Sequence, residues 1–415
     1  MTRRSPLDDR RFRGVLLAIA GVPIASLYLW RAMIQPAVTE ALPENFSANY
    51  MAAAAKIRAG WDPYGPWTAL SPAGPQYVLP PPLAWILQPM LALDPGVQLL
   101  VMIAVLQLSV LVFLVTALRA AMVKDWQLAV LLVLVTISFE PVEANFDHGR
   151  IDLVLLALSG VWLLAWVAGD RWWGGAAIGV DVAINLLQGP LGLLMLWGRR
   201  WRMVAGAALA GLALWAVAVP QYLPGYFSRV VPGLAAGTGS FENLSPGGTV
   251  ARLLEPGTFV GAVRDTPGAA RVIAAAIAVV SLAVTFWVLR RPRGDRPGRA
   301  LEAAAIVAVI PLLAPFFWGT HLVLLLLPML VLTAWAVRRR DWMVIGLAAA
   351  GWLLAGPGHN AFQTLLAAGY TNLVVLRVMA ELGVAGITCL WIASLLALRR
   401  SAHGLDAARE YGADQ

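Results

Sequence analysis

Apolar runs of about 17 to 25 residues recur along almost the whole chain, separated by short basic or Gly/Pro-containing breaks. A helix needs about 20 predominantly apolar residues to cross the hydrocarbon core of a bilayer. The pattern therefore predicts an all-α, polytopic membrane protein. About twelve spans are expected, at about 14–34, 97–121, 127–145, 151–167, 174–187, 188–198, 203–219, 270–290, 299–316, 320–337, 342–355 and 372–398. Two of these, 174–187 and 188–198, are too short to cross straight and are split near "LLQGP", as in a broken-helix pair. The segment "LPPPLAWILQPMLAL", about residues 79–93, is apolar but rich in proline, so a re-entrant or interfacial element is expected there.

The polar positions give the map a direction. With 79–93 not crossing, 22 of the 31 Lys and Arg residues fall on one side, in loops such as "GRRWR" and "RRPRGDRPGR". The positive-inside rule makes that side cytoplasmic, with both termini inside, in a plasma (inner) membrane. One transmembrane domain of about residues 1–400 is expected. Its outer loops, about 35–96 and 220–268, contribute to a site, and residues 401–415 form a cytoplasmic tail. The basic start lacks a clear small-x-small cleavage site, so the first helix is expected to be retained.

Composition agrees: 60% of the 415 residues are hydrophobic, 13% are charged and the mean hydropathy is +0.72. A soluble protein carries about 25% charged residues. A net charge of +8 would point to nucleic acid in a soluble chain, but here it follows from the loop arginines. The single Cys389 excludes an internal disulfide.

Four polar clusters fall on the outer side. The first, "ENFSANYMAAAAKIRAGWDPY" at 44–64, has helical composition ended by Gly60 and an Asp62-Pro63 turn. It predicts a juxtamembrane helix anchored by Tyr50 and Trp61, with Glu44 and Asp62 as candidate general bases. The second, "EPVEANFDHGRIDLVLLAL" at 140–158, crowds Glu140, Glu143, Asp147, His148, Arg150 and Asp152 at the junction of two spans. An Asp inside an apolar run needs a partner, and Arg150 is the nearest. The planar fork of Arg150 also suits a phosphate, whereas the plain structural alternative is an Arg–Asp pair fixing two helices. The third, "LAPFFWGTHLVLLLLPML", sets His321 behind Trp318 at the start of a span. The fourth, "GTGSFENLSPGG", holds Asn243 and Ser245 and is expected to be a mobile binding loop. Asp181, with Asn185 and Gln188, is an intramembrane acid that either serves a site or packs helices. No P-loop, GxGxxG, HExxH, CxxC or DxD motif occurs, so neither nucleotide hydrolysis nor a metal site is predicted.

In this order, on one side, the clusters resemble the GT-C fold glycosyltransferases, and most closely the bacterial polyprenol-phosphate-dependent mannosyltransferases of glycosyltransferase family 87. The similarity rests on "NFSANYMAA", "GWDPY", "LPPPL", "GRID", "GRRWR" and "APFFWGTH", and spans about residues 10 to 340. It implies a cofactor-free transferase that moves a sugar, mannose above others, from a polyprenyl-phosphate donor to a glycolipid or glycan acceptor. Inversion without a metal is implied. Glu44, Asp62 and His321 are the catalytic candidates. Asn45, Tyr50, Tyr64, His148, Arg150, Asp152, Asn243 and Trp318 are the candidates for holding donor phosphate or substrate.

The chain departs from the family pattern. Asn45 stands where the family has an acid, Arg150 and Asp152 replace Gln and Asn, and no Lys precedes Pro190. Thr320 replaces one of two histidines. The chain is thus a divergent member. Glu44 is the expected base, because Asp62 lies in a turn and Glu40 lies close to the end of the first span. The competing readings are a transporter or flippase of lipid-linked sugars, which would need acids at several depths, and an inactive GT-C-like scaffold.

Overall fold

A computed structural model describes residues 10–39, 41–64, 77–235, 237–254, 266–290 and 292–412. Glu40 and parts of both outer loops, 65–76 and 255–265, lie outside the described residues. Among the described residues the secondary structure is helical throughout, without a strand. Five helices are long and apolar enough to cross a membrane, and seven if each of two bent pairs is one span. Three shorter apolar helices accompany them.

The first long element runs from α1 (Arg10–Leu29) through a π-turn to Thr39. The loop after it then folds back as a helix, Asn45–Met51 leading into α2 (Ala52–Arg58), which stops at Gly60 with φ +78°. The proline-rich segment forms α3 (Pro81–Ile86) and one 3₁₀ turn, Gln88–Ala92. At about 1.5 Å per residue α3 is far too short to cross a bilayer, in line with the proline content.

Next come α4 (Pro95–Ala120), α5 (Trp126–Ile137) and α6 (Glu140–His148). The last two meet at a 47° bend. They lead into α7 (Asp152–Ala168), α8 (Trp172–Ile184), α9 (Pro190–Trp197) and α10 (Trp201–Val217). The expected break lies between α8 and α9: Asn185 leaves the helical region, and its side chain accepts from the Leu187 N–H at 3.1 Å. On α8, a Cβ at Gly175 would meet the Met203 carbonyl at 1.8 Å, and one at Gly179 the Ala207 carbonyl at 2.2 Å. Only glycine allows α8 and α10 to approach so closely, as in membrane helix pairs built on small residues.

The second half comprises α11 (Pro246–Leu254), α12 (Pro267–Val288), α13 (Arg296–Leu313), α14 (Leu326–Arg339), α15 (Trp342–Leu353), α16 (His359–Ala367), α17 (Leu373–Ala380) and α18 (Leu382–Gly412). The interior faces of α13 and α14 show why periodicity reveals little here: Ala300 through Leu312 and Leu326 through Leu332 are all buried. A helix apolar all round belongs at the centre of a bundle. Helix α12 is the opposite, with Val272, Val279, Val280 and Trp287 exposed as a lipid-compatible surface. One buried cluster connects the elements from Ala32 to Leu398, and a smaller one joins Phe241, Phe362, Leu376 and Ala380.

Candidate active site

The site is built on the turn between α13 and α14. Two separate segments hold that turn in place. Asn145 of α6 donates through Nδ2 to the Thr320 carbonyl at 3.0 Å and to the Pro141 carbonyl at 2.9 Å. Asn243 donates to the carbonyls of Thr238 and Pro315, at 2.9 and 3.1 Å, and accepts from the N–H groups of Ser245 and Phe317. The Leu244 N–H reaches the Phe317 carbonyl at 2.8 Å. Asn243 is fully buried with its amide fully used. It therefore locks a loop onto the turn, and the segment expected to be mobile is pinned instead.

Within this turn the Trp318 N–H donates to His321 Nδ1 at 3.2 Å. That bond makes Nδ1 an acceptor, so the neutral imidazole carries its proton on Nε2. Nε2 faces Asp152 Oδ1 at 3.5 Å, beyond strong hydrogen-bond range. Asp152 Oδ2 is buried without a partner. The acid one residue inside the apolar run thus has an imidazole beside it, where the sequence pointed to Arg150.

Arg150 follows Gly149, the left-handed residue that ends α6 at φ +63°. A Cβ at Gly149 would lie 2.6 Å from Phe46 Cβ and 3.0 Å from Pro43 Cβ. This close approach seats the loop after the first long helix against the "GRID" turn. It brings the Tyr50 hydroxyl within electrostatic reach of the Arg150 guanidinium. Tyr50 is only 3% exposed, so it anchors the arginine and does not sit in a membrane surface. Burial pushes its hydroxyl above the usual phenol range, and the Arg150 charge pulls it back. The guanidinium also lies over the Trp318 ring, 5.6 Å from its centroid. Arg150 Nε is buried and has no partner.

Arg150 and His321, both against Trp318, line with it a cavity of about 310 Å³. The rest of its wall is apolar: Leu79, Leu186, Leu187, Val231, Leu234 and Leu313 are representative, with Tyr226 and Asn185 as polar exceptions. Chemically, this is a largely apolar cavity with a cationic, hydrogen-bond-donating patch.

The remaining candidates fall around it. Glu44 is exposed and does not line the cavity, but it lies within electrostatic reach of His148. His148 is exposed two residues before Arg150, and Glu242 is within electrostatic reach of both. Asn45 accepts from Asn49 at 2.7 Å. Asp62 accepts from the Tyr64 N–H at 3.0 Å and pairs with Arg229, so it acts as a turn former and ion-pair partner. Tyr64 is buried, donates to the Leu79 carbonyl at 3.1 Å and stacks on Tyr77, which fastens two loops together. Asp181 is fully buried, outside the cavity wall. Sequence reasoning missed Asn145, Tyr226 and Glu242. Asn145 carried a weak signal as an amide flanked by acids in a short helix, but nothing local marks the other two.

Comparison with known proteins places this arrangement. The model of glycosyltransferase family 87 matches residues 77–315, more than half of the chain. A polyprenol-phosphate-mannose-dependent α-(1-2)-phosphatidylinositol mannoside mannosyltransferase of Mycolicibacterium smegmatis is 30% identical over 291 residues, 65% of this chain and 63% of that protein. Its namesake from Mycobacterium tuberculosis is 28% identical, covering 67% of this chain and 65% of that protein. An α-(1->3)-arabinofuranosyltransferase of M. tuberculosis is 27% identical over about half of each chain. The chain thus spans slightly less than two thirds of these mannosyltransferases, and the matched region contains Arg150, Asp152, Asn243 and the start of the 314–321 turn. On these matches, the chain belongs to glycosyltransferase family 87.

Proposed function

We propose that the protein is a membrane glycosyltransferase that takes a sugar, mannose, from a polyprenyl-phosphate donor and passes it to a hydroxyl of a glycolipid or glycan. The carrying observation is the cavity: an apolar wall that fits a polyprenyl chain, and in it Arg150 and His321, which fit a phosphate. The mannosyltransferase relatives use a polyprenol-phosphate-mannose donor and phosphatidylinositol mannoside acceptors, which supports this donor and acceptor class.

In the proposed reaction the acceptor oxygen attacks the anomeric carbon as the bond from that carbon to the phosphate oxygen breaks. Configuration inverts. The bonding pair leaves with the polyprenyl phosphate, whose added negative charge is met by the Arg150 guanidinium and the His321 Nε2–H in place of a metal. We assign the hydroxyl proton to the Glu44 carboxylate, which is exposed outside the cavity wall and within electrostatic reach of His148. The transporter alternative gains little from the structure, because Asp181 is sealed away from the cavity. Incubating membranes that contain the protein with radiolabelled polyprenyl-phosphate mannose tests the proposal. A labelled glycolipid with one new linkage is the expected product. Absence of transfer from this donor, with transfer from another lipid-linked sugar, would correct the sugar; no transfer from any would leave the scaffold reading.

A further inference from the structure

Helices α7 and α13 carry the proposed donor site at one end. At their other ends, about 14 residues or roughly 20 Å away, they carry a second polar constellation. There, Trp166, Trp197, Arg200, Arg293, Glu302 and Leu289 line a cleft of about 30 Å³, which has room for little more than one water or one phosphate oxygen.

Its charge is unbalanced. Arg200 lies within electrostatic reach of Glu302 and Arg299, and Arg299 within reach of Arg200, Arg296, Glu302 and Asp295. On the cleft wall itself Arg200 and Arg293 meet one carboxylate, Glu302, and Arg293 also donates to the Leu398 carbonyl at 3.1 Å. The Glu302 and Asp295 carboxylates already serve backbone groups: Glu302 accepts from the Arg293 N–H at 2.6 Å and Asp295 from the Gly298 N–H at 3.3 Å. The Nε atoms of Arg200 and Arg299 are buried with no hydrogen-bond partner. Arginines that serve only to fix topology extend into water. Arg200 is instead held over the Trp166 ring, 5.1 Å from its centroid, and Trp166 is fixed by donating to the Arg299 carbonyl at 3.1 Å. The "GRRWR" turn is itself held, because the N–H groups of Arg202 and Met203 donate to Asp170 at 3.1 and 2.9 Å. A rigid fork with unused donors beside an exposed apolar surface fits a phosphate diester whose acyl chains remain in the bilayer.

We propose that this cleft binds the phosphate of an anionic membrane lipid headgroup, at the end of the helices opposite the donor cavity. The inference does not depend on the transferase reading. Native mass spectrometry of the purified full-length protein, exchanged between phosphatidylglycerol and phosphatidylcholine, tests it. The wild type should retain phosphatidylglycerol preferentially, and Arg200→Gln with Arg299→Gln should reduce that retention roughly tenfold, the loss of about 1.4 kcal/mol. Arg202→Gln, on the same turn but exposed, should leave retention unchanged. Glu302→Gln keeps an acceptor for the Arg293 N–H and removes a competing charge, so it should retain the lipid at least as well. Equal retention by the wild type and the double variant would overturn the site. So would an equal loss in Arg202→Gln, which would mean diffuse attraction. Displacement of the lipid by millimolar inorganic phosphate would overturn the lipid assignment in favour of a soluble anion.

Discussion

Arg150 is placed by three neighbours of different chemistry: the Tyr50 hydroxyl, the Trp318 ring and the cavity it faces. A lysine would keep the charge but lose the planar fork and the face-on contact with Trp318. Arg150→Lys should therefore weaken donor use by about 1–3 kcal/mol, as a higher KM for the donor with the acceptor KM little changed. Steady-state kinetics with each substrate varied in turn checks this. Glu44→Gln should abolish turnover while donor binding persists, because the amide keeps the shape and loses the proton acceptor. Asp62→Asn breaks only an exposed ion pair with Arg229, worth up to about 1 kcal/mol, and should leave most activity. If Asp62→Asn is the inactive variant and Glu44→Gln the active one, the assignment is reversed.

At the scale of elements, Gly149 joins the loop after the first long helix to the "GRID" turn. Gly149→Ala combines a left-handed backbone with a 2.6 Å approach to Phe46. It should cost about 2–4 kcal/mol and lower both the melting temperature and the activity. A thermal-unfolding scan in detergent measures the first of these. Much of the element map was legible in the sequence because it depends on local rules. The Asp62 turn, the Gly60 helix stop, the proline-interrupted α3 and the break at "LLQGP" all appear. What was not legible depends on long-range contacts. Asp152 faces His321, far along the chain, while its near neighbour Arg150 lies within electrostatic reach of it. Tyr50 is buried by the loop that folds over it. Asn243 looked mobile in a glycine-rich stretch, but its amide also bonds Pro315 and Phe317, more than 70 residues away.

At the scale of the whole molecule, the candidate site gathers at one end of the bundle and the arginine cleft at the other. The arginine asymmetry predicts that the site end is extracytoplasmic. In a Cys389→Ala background, Glu242→Cys should react with an impermeant thiol reagent in intact cells, and Gly294→Cys should not. Both positions are exposed, whereas Ser245 is fully buried and would not report. The reverse labelling would invert the topology. The central claim, that a polyprenyl-phosphate sugar lodges in the apolar cavity with its phosphate at Arg150 and His321, is tested most directly by photocrosslinking. A polyprenyl-phosphate mannose with a photoreactive group in its lipid chain should label Val231, Leu234 or Leu313, and unlabelled donor should suppress the adducts. Adducts confined to the exposed face of α12, or labelling that unlabelled donor leaves unchanged, would contradict it.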